Sequence, residues 1–201
     1  MSIPSYMEHV MTNLTIDLKS TVLVLIDLQH GTVGRQLAPH SGADLVKRAA
    51  ALAAAFREKG GTVVYVRVEV SDVLRPPVDA PMFDPNAPPP PPIASQLVPE
   101  SGYQAGDLLV TKRQWGAFYG TDLDQQLRRR GIRTIILGGI ATNIGVESTA
   151  RAAHDRGYAL IFVEDAMSSL SAETHGFAVE HIFPRMGRVR KTDEVLEALA
   201  Q

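Results

Sequence analysis

The run Val22-Leu23-Val24-Leu25-Ile26, closed by Asp27, sets the fold. Five consecutive apolar residues, three of them β-branched and none alternating with polar ones, describe a strand covered on both faces. The run is far too short for a bilayer span. Its two apolar faces need covers, and the next segment supplies one. In Gly42–Lys59 the residues Leu45, Val46, Ala49, Leu52, Ala53 and Phe56 recur at helical spacing, giving one apolar stripe that Gly60-Gly61 terminates. Thr62–Val66 reads as the second strand, with Arg67 at its end.

The same alternation resumes after residue 105. Strands are predicted at 107–110, 134–137, 159–163 and near 188–190. Helices are predicted at 122–130, 146–156, 172–182 and from 193, with Gly131 and Gly157 as stops and Gly138-Gly139 as a turn. Strands alternating with helices imply a parallel sheet covered on both sides. The expectation is an α/β fold: a single doubly wound, Rossmann-like domain over residues 1–201, with about six parallel strands.

Residues 68–105 break the rhythm. Ten of the 13 prolines fall here: Pro76, Pro77, Pro81, Pro85, Pro88–Pro92 and Pro99. Proline cannot donate to a ladder or helix, so this is a long excursion, with Pro88–Pro92 expected in polyproline II. Such loops serve as functional lids or surface insertions.

Composition removes several classes. Lys plus Arg is 20 and Asp plus Glu 22, a net charge of −2 that gives no electrostatic reason to bind nucleic acid or anionic membrane. There is no cysteine, which excludes disulfides, thiolate–metal sites and a sulfur nucleophile. The segment Met1–Lys19 lacks a signal peptide's basic start and apolar block, so a cytoplasmic location is expected; the triplet Asn13-Leu14-Thr15 is then a chance sequon.

In open parallel sheets ligands sit beyond the carboxyl ends of the strands. Those ends carry Asp27, Gln29 and His30, then Arg67, then Lys112 and Arg113, then Gly138–Gly145, then Glu164 and Asp165. Asp27 and Lys112 lie 85 positions apart yet can meet above such a sheet. The glycine-rich segment opens a helix, whose N-terminal N–H groups suit an anion or oxyanion. Dinucleotide, P-loop and serine-hydrolase elbow patterns are all absent. His175 and His181 read as surface helix residues. Thr142 and Ser148 carry hydroxyls, but no histidine base for them is identifiable.

Four pieces together carry a resemblance: Val24-Leu25-Ile26-Asp27-Leu28-Gln29, Lys112 through Leu123, Gly138 through Arg151, and Val163-Glu164-Asp165-Ala166. Taken in this order, they make the chain resemble the isochorismatase-like hydrolases over residues 21 to about 190. That family's cysteine members use an Asp–Lys–Cys triad. Asp27 and Lys112 match the first two, and Gly145 stands at the cysteine position. The resemblance thus implies a cofactor-free hydrolase in which Asp27 and Lys112 act with water, as in family members that cleave the enol ether of isochorismate. The alternative is a catalytically silent binding or structural member.

The resemblance further implies a substrate pocket drawn from Gln29, Arg67, Trp115, Phe118, Ile140, Ala141, Thr142 and Asn143. Trp115 and Phe118 either wall that pocket or fill the core. Gly145 either relieves crowding or makes room for substrate or water. A cis peptide is expected between Ile140 and Ala141. The arginines that isochorismatases place two and eight positions after the lysine are here Gln114 and Gly120, leaving Arg113 and Arg67 as substitutes. The zinc-binding branch has a histidine after the second strand, whereas Glu69-Val70-Ser71-Asp72-Val73 has none, so the protein is expected to hold no metal. The expected partner is a small-molecule substrate, with homo-oligomeric assembly.

Overall fold

The computed structural model describes residues 14–82, 84 and 86–201. Asn13 of the sequon, most of Met1–Lys19, and Pro85 lie outside the described residues. The elements in chain order are β1 Thr21–Ile26, α1 His30–Val33, α2 Gly42–Glu58, β2 Thr62–Val68, β3 Leu108–Lys112 and α3 Leu123–Arg129. They continue with β4 Thr134–Ile140, α4 Glu147–Asp155, β5 Ala159–Ser168, α5 Ala172–Phe177, β6 Arg188–Arg190 and α6 Thr192–Ala200.

The six strands form one sheet in the order β3-β2-β1-β4-β5-β6, and every neighbouring pair is parallel. This is the doubly wound order, in which the chain leaves β1 in one direction for β2 and β3 and returns on its other side for β4. Ligands bind where that order reverses, at the carboxyl ends of the strands. Here that point lies between Asp27, just past β1, and the Ile140–Ala141 bond at the end of β4.

Side-chain alternation along β1 divides the core. Val22, Val24 and Ile26 face one side, packed with Leu123 and Leu127 of α3 and Ala150 and Ala153 of α4. Leu23 and Leu25 face the other, with Leu45, Leu52 and Phe56 of α2 and Val195 and Leu199 of α6. All six residues of β1 are buried. Full burial of each large aliphatic side chain is worth ~1.5–3 kcal/mol, so the two apolar faces of this strand anchor both helix layers. Ser41 caps α2, its hydroxyl accepting from the Asp44 N–H at 3.1 Å.

Two expected boundaries are wrong in the same way. Gly138-Gly139 is not a turn: β4 runs through both to Ile140. Gly139 has φ 118°, and a Cβ there would fall 2.1 Å from the Ile26 carbonyl oxygen. Only glycine lets β1 and β4 approach this closely. Likewise β5 continues to Ser168, so Glu164 and Asp165 lie inside it. Leu137 and Gly139 of β4 pair with Phe162 and Met167, so the register shifts there and the extra residues bulge out of β5. Asp165 is a structural residue; its Oδ1 accepts from both N–H and hydroxyl of Thr192, each at 2.8 Å, at the start of α6.

The proline-rich excursion is tethered along its second half. The Val98 N–H donates to the Leu28 carbonyl at 2.9 Å, and Leu97 bridges Gln29. Pro91 has polyproline angles (φ −67°, ψ 152°), but Pro92 starts a 3-10 turn, Pro92–Ser95, where its missing N–H is no loss. The predicted polyproline run therefore ends one residue early.

Candidate active site

Asp27 follows β1 with φ 53°, the one non-glycine residue in the left-handed region among the described residues. Asp tolerates this conformation better than most side chains. The Asp27 carbonyl oxygen accepts from the Thr32 hydroxyl and from the Gln29 N–H. Its carboxylate thereby sits above the β1–β4 junction, 7% exposed. Lys112, the last residue of β3, is 1% exposed and reaches across β2. Its Nζ lies 2.8 Å from Asp27 Oδ2 and donates to the Trp115 carbonyl at 2.7 Å. Asp27 Oδ1 is buried with no hydrogen-bond partner among the described residues. Burial pushes the Asp27 carboxyl above its ordinary range, and the Lys112 charge offsets only part of that shift.

Gly145 faces this pair. A Cβ at Gly145 would meet Lys112 Nζ at 3.1 Å, Ile26 Cγ2 at 3.2 Å and Asp27 Oδ2 at 3.3 Å. The three residues border a cavity of about 430 Å³. Its other walls are mostly apolar: Val68 at the end of β2 and Val70 just after it, Met82, Pro90 and Ile93 from the excursion, and Trp115, Ile140 and Leu170. The excursion is thus a wall of the cavity rather than a remote insertion.

Of the expected pocket residues, Trp115, Ile140 and Ala141 line the cavity, and the Ile140–Ala141 peptide is cis. Five others do not line it. Gln29 is fully buried; its side-chain amide donates to the Val68 and Ala94 carbonyls and accepts from the Val68 N–H. It is a staple joining β1, β2 and the excursion. Arg67 donates to the Thr111 hydroxyl at 3.0 Å, along the sheet. Phe118 is core, 4% exposed and packed near Tyr158. Thr142 is fully buried, and Asn143 accepts from the Ser169 hydroxyl.

Neither substitute arginine reaches the cavity. Arg113 pairs with Asp72 at 2.9 Å on the surface. The arginine that does line it is Arg35, just after α1, together with His30. No spacing rule in the sequence points to Arg35, because a four-residue helix carries it inward. After β2, Glu69 accepts from the hydroxyls of Ser95 and Ser71, and neither Glu69 nor Asp72 lines the cavity. The glycine-rich segment also differs from the expected helix N-terminus. Thr142–Val146 forms a π-helical turn ahead of α4, and its Ile144 and Val146 N–H groups return to the Ala141 carbonyl.

His175 corrects a further expectation. It is buried, not on a surface, and its Nδ1 lies 2.9 Å from the Thr142 hydroxyl. Thr142 does therefore have a histidine neighbour. Neither lines the cavity. His181 is exposed, as expected.

Known proteins place this geometry. The isochorismatase domain model matches residues 21–194. The chain is 46% identical over 198 residues to YecD of Escherichia coli O157:H7, an uncharacterized isochorismatase family protein, covering 92% of this chain and 100% of that one. A structure of an isochorismatase family protein from Burkholderia thailandensis superposes with a TM-score of 0.85 at 44% identity, covering 93% of this chain and 98% of the other. Similarity is partial to the ureidoacrylate amidohydrolase RutB of Variovorax paradoxus: 36% over 106 residues, 52% of this chain and 42% of that protein. A domain match from β1 to α6, with a doubly wound sheet that brings Asp27 and Lys112 together beside Gly145, leaves one assignment: the chain belongs to the isochorismatase family.

Proposed function

We propose that this protein is a cofactor-independent hydrolase of a small molecule, in which Asp27 is the general acid/base, Lys112 its electrostatic partner, and water the nucleophile. The observation that carries the reading is the buried 2.8 Å Asp27–Lys112 pair at the cavity, with Asp27 Oδ1 unpartnered. A buried charge pair is costly to keep and weak evidence of stability. A carboxyl whose affinity for a proton is raised by burial suits a group that must donate one near neutral pH.

On an enol ether, Asp27 gives its proton to the terminal alkene carbon, generating an oxocarbenium ion. Water adds to that cation, and the Asp27 carboxylate takes back a proton. Collapse of the hemiketal then yields a carbonyl compound and an alcohol. Lys112 steadies the carboxylate while it is ionised. Gly145 puts no side chain beside the two groups, at the position where the resemblance sets the family's cysteine. The chain has no cysteine, so the covalent thiol route is closed. The mostly apolar walls favour a small, partly apolar substrate, and Arg35 offers a cation for an acidic group on it. Isochorismate, an enol ether with two carboxylates, would meet a single arginine, Arg35, at this cavity. The second reading is a binding member that keeps the fold without turnover, favoured by the loss of the nucleophile at Gly145.

The test is steady-state assay of purified protein against enol ethers, isochorismate among them, and amides, ureidoacrylate among them. Enol-ether turnover supports the proposal; saturable binding without turnover supports the second reading. We further propose a homo-oligomeric, cytoplasmic protein, a reading supported by the family's habit of assembling and by exposed Trp115 and Leu170 at the cavity. No helix among the described residues is long and apolar enough to cross a membrane. Light scattering gives the mass.

A further inference from the structure

Behind the cavity wall, three potential metal donors converge from three parts of the chain. Glu164 lies in β5, His175 in α5, and His40 in the segment between α1 and α2. Glu164 Oε2 is 3.8 Å from His175 Nε2 and 3.9 Å from His40 Nε2. All three donor atoms lie within 4.8 Å of one another. Both separations from the carboxylate exceed hydrogen-bond length. His40 Nε2 is buried with no hydrogen-bond partner among the described residues, a costly state for a polar atom unless something bridges it.

The surroundings hold these donors in place. The Ser168 hydroxyl donates to the His40 carbonyl at 2.8 Å, and accepts from the His40 N–H at 3.2 Å. The neighbouring Ala38 pairs with Ser169 through both backbone groups. His175 Nδ1 lies 2.9 Å from the Thr142 hydroxyl; donating to it leaves the Nε2 lone pair toward Glu164. Ligating histidines are oriented by such a bond on the second ring nitrogen. Lys191 lies 3.9 Å from Glu164 Oε1, so the charge on the side away from the histidines is already answered, and Oε2 remains for them.

We infer that His40, Glu164 and His175 bind a divalent transition-metal ion of the zinc class, with water in the fourth position, at a site separate from the cavity. Two imidazoles and one carboxylate are a recognised zinc donor set, and zinc bonds of about 2.0–2.1 Å place donors about 3.4 Å apart. Small side-chain rotations bring the observed spacings to that value. His40 and Glu164 keep about a quarter of their side chains exposed, 25% and 23%, which gives an ion a route in. None of the three lines the cavity, so the ion does not touch substrate. It would tie the α1–α2 segment, β5 and α5 together, and through Thr142 brace the segment that carries Ala141 and Gly145. The inference is independent of the hydrolase reading.

Zinc chloride is titrated by calorimetry into chelator-treated, dialysed full-length protein, and cobalt(II) binding is followed by visible absorption. Wild type is expected to take up one zinc ion per chain, and to give a cobalt spectrum of nitrogen and oxygen ligation. His40→Gln and Glu164→Gln, each checked for fold by circular dichroism, should weaken binding at least about tenfold. His181→Gln, on an exposed helix face, should not. No saturable zinc binding by wild type overturns the inference. So does affinity that His40→Gln and Glu164→Gln leave unchanged.

Discussion

A Cβ on Gly145 would stand 3.1 Å from Lys112 Nζ. That position is closed in by the charge pair and by Ile26, each of which would have to give by a few tenths of an ångström. Gly145→Cys should therefore fold with a loss of about 1–3 kcal/mol, the usual penalty of overpacking. It would be the chain's only cysteine. With an ammonium beside it, the thiol should react with iodoacetamide faster than a free thiol at pH 7. Thermal unfolding and mass-spectrometric labelling check the two halves. An unreactive thiol would place Lys112 elsewhere than described.

Lys112→Met removes the charge that holds the Asp27 carboxyl down, leaving burial to push it further up. A carboxyl with a raised folded-state pKa stabilises the protein fully below its unfolded pKa, and that contribution disappears as pH rises through the folded value. The variant should thus be more stable relative to wild type near pH 5 than near pH 8. Its turnover should fall, with the alkaline limb of kcat/KM moved to higher pH. Denaturant unfolding at the two pH values and a pH–rate profile read both effects.

Gln29 ties three backbone groups, the buried Ala94 carbonyl and the half-buried N–H and carbonyl of Val68. Gln29→Leu should cost about 3 kcal/mol or more, at ~1–3 kcal/mol for each stranded group. The excursion should loosen as Ala94 is released, raising KM and opening residues 76–92 to proteolysis. Limited proteolysis against wild type tests this; an unchanged digest would return Gln29 to a substrate role.

Tyr65 donates to the Ser101 carbonyl at 2.7 Å, and burial pushes its pKa up to about 12. The folded state holds this proton after the unfolded chain has released it. Stability from this group is complete below about pH 10 and is lost as pH rises toward 12. Tyr65→Phe should flatten that part of the stability–pH curve, as read by denaturant unfolding at pH 9 and 11.

Much of this was legible in the sequence because the signals were local. The apolar run at Val22–Ile26, the stripe in α2 and the glycine stops carry strand, helix and order without reference to distant residues. Asp27 and Lys112 stand out because each ends a strand, whereas Gly145 stands out only through the family resemblance. What escaped depends on contacts across the fold. Gly138-Gly139 reads as a turn until the closeness of Ile26 shows why a strand needs glycine there. Gln29 looks like a ligand donor until Val68 and Ala94 close around it. His175 looks like a surface residue because Thr142 and Glu164, its neighbours, lie 33 and 11 positions away.

The central claim is that Asp27 does the acid/base work, and Asp27→Asn tests it most directly. Asn fits the left-handed backbone that Asp27 adopts at φ 53°, so circular dichroism should show an intact fold. With a substrate found by the enol-ether and amide panel, kcat/KM for Asp27→Asn should fall at least about 10²–10⁴-fold, the usual contribution of a positioned acid or base. A folded Asp27→Asn protein that keeps turnover near the wild-type rate would contradict the account.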